Sequence, residues 1–126
     1  MTDKTSAGPL AGIRILDLTQ YVLGPFATQT LGDLGADIVK IEEPGGDRQR
    51  KGTGKTAPAP DMSALFVEIN RNKRSVVLDL KTPEGQSYLR ALVKTADVFI
   101  HNMRPASVDR LGFGYEAVKA IRPDIV

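Results

Sequence analysis

The chain reads as an α/β protein: a Rossmann-like, mainly parallel sheet with helices on both faces. Three observations predict this. Short apolar, β-prone runs recur at residues 13–18, 37–42, 75–80 and 97–101. Segments with helical spacing separate them. The stretch 12–43 also sets strand, helix and strand within about 30 residues, the size of a βαβ unit with parallel strands and a right-handed crossover.

Each element has its own signal. In the first crossover Gly24-Pro25 opens a helix, Phe26, Ala27, Thr30, Leu31 and Leu34 share one face, and Gly35 supplies a left-handed stop. Residues 43–61 carry no apolar period and are rich in Gly, Pro and charge, which predicts a long exposed loop. Residues 62–69 read as a short helix, although the apolar run also permits a strand. Residues 70–74 are a basic turn before the third strand. Thr82-Pro83-Glu84 combines a capping hydroxyl, a first-turn proline and an acid near the positive helix end. The stripe Tyr88, Leu89, Leu92, Val93 and Ala96 then predicts a helix to about residue 95. A short helix over 105–110, a turn at 112–114 and a helix over 115–121 follow, the last stopped by Pro123. Asp124, Ile125 and Val126 begin a fifth strand. Residues 1–8 read as a disordered leader and 9–126 as the N-terminal, incomplete part of the sheet domain.

Composition narrows the chemistry. The 126 residues are 41% hydrophobic and 25% charged, with 17 basic against 15 acidic side chains. This balance does not favour nucleic acid. The absence of cysteine excludes disulfides, thiolate metal sites and a cysteine nucleophile, and it fits a reducing compartment. A single histidine excludes a histidine-rich metal centre. No run approaches the ~20 apolar residues of a membrane helix, and residues 1–12 lack a signal peptide's apolar core. The cytoplasm is the expected location.

Ligands of open α/β sheets bind beyond the carboxyl ends of the strands, so the loop 19–24 is the first candidate region. Gly52-Thr53-Gly54-Lys55-Thr56 resembles the end of a P-loop, but Gln49 stands where the first glycine belongs and no strand precedes it. The dinucleotide glycine fingerprint is missing after the first strand, and Asp17 reads as a strand-end polar group. His101 is at the end of the fourth strand, as a general base or as a structural turn residue. Among Arg71, Lys73, Arg74, Lys81, Arg104 and Arg110, the last three follow the third and fourth strands and suit phosphate. Arg71 and Lys73 read equally well as solvated surface.

Several ordered blocks together resemble a known family. They are residues 12–19 (GIRILDLT), Gly24-Pro25, 34–42 (LGADIVKIE), 72–75 (NKRS) with 78–85 (LDLKTPEG), 96–99 (ADVF), Asn102, and 109–112 (DRLG). The chain resembles the start of the family III CoA-transferases, the CaiB/BaiF group that includes formyl-CoA transferase, carnitine CoA-transferase and α-methylacyl-CoA racemases. The resemblance implies CoA contacts at Val22 and Leu23, at Leu78 and Lys81, at Asn102, Met103 and Arg104, and at Arg110. Glu43 stands where some members carry a basic nucleotide contact, so it is not among the expected binders. The resemblance also implies an interlocked homodimer and no tightly bound cofactor, with coenzyme A, acyl-CoA and a carboxylic acid as substrates. The aspartate that would form the acyl intermediate falls beyond residue 126, so no catalytic residue is assigned, and these 126 residues alone are expected to be inactive and to fold poorly. The alternatives are an acyl-CoA racemase of the same superfamily and a non-catalytic nucleotide-binding module.

Overall fold

The apolar runs pair into one parallel sheet. In a computed structural model describing residues 8–52, 54–56 and 59–126, the elements are β1 (Arg14–Asp17), α1 (Leu23–Asp33), β2 (Asp37–Glu42), a 3-10 turn (Arg48–Lys51), β3 (Lys55–Thr56), β4 (Ala59–Ser63), α2 (Ala64–Asn70), β5 (Lys73–Val77), α3 (Pro83–Val93), β6 (Val98–Ile100), α4 (Pro105–Arg110) and α5 (Tyr115–Ile121). The main sheet has the order β5-β2-β1-β6, all parallel. The chain therefore steps outward from β1 through β2 to β5, then returns through α3 to the far side of β1. That reversal lies between β1 and β6 and is the topological switch point where such sheets open a crevice. Val126 extends the pattern: its amide donates to Asp97 O at 3.0 Å and its carbonyl accepts from Phe99 N at 2.9 Å.

The two faces of the sheet differ. One is apolar: Leu16, Leu18, Val39, Ile41 and Leu78 pack against Leu89, Val93 and Ala96, and on Val108, Phe113 and Val118. The Thr82 hydroxyl accepts from Gly85 N, starting α3 as its sequence predicts. Leu89, Val93 and Ala96 are buried as expected, but Tyr88 is 55% exposed. The opposite face is apolar only near the strand starts, at Ile15, Ala36 and Ile38. Farther along, the register sets Asp17 beside Lys40 and Lys40 beside Ser75 on this same face, with Lys73 one pleat back.

These charges are buried and joined. Lys73 Nζ lies 3.0 Å from Asp17 Oδ2, 2.9 Å from Pro25 O and 2.8 Å from Thr28 Oγ1. Asp17 also accepts from Thr28 Oγ1 and from both the amide and hydroxyl of Thr19. Lys40 Nζ donates to Thr19 O at 2.9 Å and pairs with Asp47 Oδ2 at 3.0 Å. Glu42 takes two guanidinium hydrogen bonds from Arg50, one from Ser75 Oγ and one from the Asp47 amide. Arg50 in turn stacks 4.2 Å over Phe66. Burial holds the Lys73 ammonium below the usual lysine pKa, with Asp17 pulling the other way.

This layer corrects several expectations. The buried side of α1 is Pro25, Thr28, Gln29 and Gly32, because it faces the ionic row; of the expected stripe, Phe26 is 56% and Leu34 42% exposed. Pro25 is the third helical residue rather than the first. Gly35 does end the helix, at φ +106. Residues 43–61 are not a featureless exposed loop: Asp47 is buried, and the 3-10 turn and the antiparallel β3–β4 pair occupy the segment. The helix expected at 62–69 begins at Ala64, where Ser63 Oγ caps Phe66 N. The third strand runs over 73–77, two residues earlier than expected, so Lys73 and Arg74 belong to it rather than to a basic turn. The expected leader falls on residues 1–7, outside the described residues, apart from Gly8, whose Cα side abuts Leu34 O and Gly35. Thr53 and the Lys55 side chain of the P-loop-like stretch also lie outside the described residues.

Truncating Lys73 to Ala strands the Asp17 carboxylate in a buried site. The loss expected in denaturant unfolding is about 3–5 kcal/mol, the cost of breaking a buried pair from one side. A loss under 1 kcal/mol would show that the layer is not stabilising. Acid should act through Glu42. Burial alone would raise its carboxyl, but the bonds from Arg50, Ser75 and the Asp47 amide bring it from the ordinary 4.5 down to about 2. Because the folded value is depressed, this contribution is complete above about pH 4.5 and fades as pH falls toward about 2. Glu42→Gln should flatten the stability profile across that window.

Candidate functional site

A cleft of about 320 Å³ opens beyond the carboxyl ends of the strands. Its floor is apolar, made by Leu18, Ile41, Leu78, Leu80, Met103 and Leu111, and its rim is polar, made by Gln20, Glu43, Asp79 and Lys81. Each wall is a strand exit: Leu18 and Gln20 follow β1, Glu43 and Pro44 follow β2, Leu78 to Lys81 follow β5, and Met103 follows β6.

The walls are fixed by local contacts. Asn102 clamps the β1 exit to the β6 exit: its Oδ1 accepts from Gln20 N at 3.0 Å and its Nδ2 donates to Gln20 O at 2.8 Å. Lys40 holds the same loop one residue earlier, at Thr19 O. Tyr21 then takes φ +69, a left-handed conformation uncommon for a tyrosine, and the chain turns outward into α1. On the β5 side, Leu78 N donates to Glu42 O and Lys81 N to Asp79 Oδ1. A Cβ on Gly85 would lie 2.0 Å from Asp79 O, so only glycine lets the first turn of α3 press against this wall.

Of the eight residues expected to bind CoA, Leu78, Lys81 and Met103 line the cleft. Asn102 is exposed beside the cleft rather than lining it, with both its amide atoms engaged by Gln20. Val22 and Leu23 are 45% and 82% exposed on the outer side of the loop. Arg104 precedes α4 and is exposed; Arg110 is exposed on its last turn, its Nε donating to Ala106 O. The other cations point elsewhere: Arg71 pairs with Asp33, Arg74 with Asp37, and Lys73 is buried against Asp17 rather than solvated. His101 lies in a separate cavity of about 80 Å³ with Phe99 and Phe113; its Nδ1 accepts from Met103 N at 3.2 Å, which places a neutral ring's proton on Nε2. Gln20, which also lines the cleft, belongs to the loop 19–24 that the carboxyl-edge rule singles out; Glu43, set aside on the resemblance, and Asp79, between the expected Leu78 and Lys81, line it too. Among the described residues no group of three His, Cys, Asp or Glu could hold a metal, and no helix is long and apolar enough to cross a membrane.

An open parallel sheet with a β5-β2-β1-β6 order and an apolar, polar-rimmed cleft at its carboxyl edge is the architecture of a Rossmann-like α/β domain. The sequence model of CoA-transferase family III matches residues 10–126, and the chain belongs to that family. It is 40% identical over 125 residues to a mouse succinyl-CoA:glutarate CoA-transferase, covering 99% of this chain and 28% of the relative. It is 45% identical over 122 residues to a Streptomyces coelicolor formyl-CoA:oxalate CoA-transferase, covering 96% and 29%. A crystal structure of a CaiB/BaiF family protein from Brucella suis superposes with a TM-score of 0.87 at 38% identity, covering 94% of this chain and 32% of that one. The chain thus spans about a third or less of the length of these relatives.

Removing the Asn102 clamp tests the geometry. Asn102→Ala should raise the hydrogen-exchange rate of the Gln20 amide by about fivefold to thirtyfold, since two hydrogen bonds at an exposed position contribute roughly 1–2 kcal/mol together. Unchanged exchange would show that the two strand exits are held by other contacts.

Proposed function

We propose that this chain supplies the CoA-binding part of a CoA-transferase that moves CoA from an acyl-CoA thioester to a carboxylic acid. The observation that carries the reading is the cleft at the carboxyl edge. Its apolar floor suits the adenine and pantetheine portions of the ligand, and Lys81 at the rim suits its phosphates. Arg104 and Arg110, exposed on and before α4, are free to reach phosphate from outside. Val22 and Leu23 would close over the ligand from the loop after β1, and Asn102 would act by holding that loop.

The catalytic aspartate is proposed to come from sequence beyond these 126 residues. There it attacks the thioester carbonyl, forming a mixed anhydride and releasing CoA thiolate. The thiolate attacks the aspartyl carbonyl and expels the donor acid. The acceptor carboxylate attacks the resulting aspartyl thioester to form a second anhydride and free the thiolate again, and the thiolate attacks the acceptor carbonyl, giving the new thioester and the free aspartate. A homodimer is supported by the apolar outer side of α1, where Phe26 is exposed, and by the exposed Tyr21 on its approach. The cysteine-free composition suits the cytoplasm.

Arg110→Ala and Lys81→Ala, made in the protein as its gene encodes it, should each weaken CoA binding by about tenfold or more, because a charge-assisted bond to phosphate contributes roughly 1.5–3 kcal/mol. Titration calorimetry with CoA reads this directly. Unchanged affinity in both variants would remove the assignment. A companion assay follows CoA transfer between succinyl-CoA or formyl-CoA and free dicarboxylic acids; no transfer with any pair would count against the activity.

A further inference from the structure

Two carboxylates stand at the end of β2, and they are used differently. Glu42 turns to the ionic face and is fully engaged by Arg50, Ser75 and the Asp47 amide. Glu43 lines the cleft. Among the described residues its carboxylate has no hydrogen bond or ion pair; only its backbone carbonyl is used, accepting from Gly46 N at 2.8 Å. The turn behind it is rigidly specified, with Gly45 and Gly46 at φ +96 and +80. Asp79, the other acid of the rim, already accepts from Lys81 N. Glu43 is therefore the rim acid whose carboxylate has no hydrogen-bond partner among the described residues, and Lys81 is the cation of the rim.

In dinucleotide-binding sheets of this order, an acid at the carboxyl end of the second strand accepts hydrogen bonds from ribose hydroxyls, and Glu43 has the same place here although the glycine fingerprint is missing. A cation there instead accommodates a ribose phosphate. A carboxylate has acceptors only, so it matches a free hydroxyl and repels a phosphate on the same sugar. Building on the CoA-binding reading above, we infer that Glu43 is a specificity residue for the nucleoside end of the ligand. It accepts from the free ribose hydroxyl and weighs against the 3′-phosphate on the neighbouring carbon. The anionic parts of the ligand are left to Lys81 and the arginines around α4. The site accordingly discriminates weakly between CoA and dephospho-CoA.

The test is titration calorimetry of CoA and of dephospho-CoA against the protein as encoded and its Glu43→Gln and Glu43→Arg variants, at low ionic strength. Glu43 is exposed, so both substitutions leave the fold intact. Glu43→Gln should raise the ratio of CoA to dephospho-CoA affinity by about fivefold, and Glu43→Arg by more, as expected for one screened charge repulsion removed and then reversed. A ratio that moves by less than about twofold in both variants overturns the inference while leaving CoA binding intact. If neither ligand binds the unmodified protein, the CoA reading itself fails and this inference fails with it.

Discussion

The buried pairing of Lys73 with Asp17 is the constraint on which the rest of this structure depends. Both side chains are almost wholly removed from water, at 2% and 0% exposure, and a buried charge is tolerable only when its partners are close and complete. Satisfying them requires Thr28 and Pro25 from α1, Thr19 from the β1 exit and β5 in its observed register. The polar underside of α1 follows from this requirement, and so does the exposure of Phe26 on its outer side.

The same layer extends to the cleft. Lys40 joins Thr19 to Asp47, and Glu42 joins Arg50 and Ser75, so the exits of β1, β2 and β5 are tied together beneath the surface that would receive a ligand. After β2, Asp47 and Arg50 are held to the sheet through Lys40 and Glu42, and Arg50 also lies over Phe66 of α2. On the opposite face, conventional aliphatic packing against α3 and α5 supplies a stiff backing. One face of the sheet thus provides cohesion, and the other fixes where the strand ends point.

Much of the fold was legible in the sequence. The alternation of β-prone runs and helical stripes gave the parallel sheet, and the bounds of α4 and α5 agree because proline and glycine punctuate both. The signals failed where partners are distant in sequence. Lys40 and Asp17 sit in runs that look apolar, and nothing local shows that Lys73, 56 residues after Asp17, will neutralise it. The α1 stripe was misassigned for the same reason, since periodicity reports an apolar side without saying whether the core lies on it. In the candidate site, Leu78, Lys81 and Met103 could be placed by position after a strand, whereas the role of Asn102 depends on a contact with Gln20 across 82 residues.

The central claim is that the carboxyl-edge cleft, framed by the exits of β1, β2, β5 and β6, is where this chain meets CoA. Hydrogen–deuterium exchange of the protein as encoded, with and without saturating CoA, tests it most directly. The account predicts slowed exchange concentrated in residues 18–23, 41–44, 78–81 and 102–111, with the amino ends of the strands unchanged. Protection confined to the His101 cavity or to the outer side of α1, with those four segments unaffected, would contradict it.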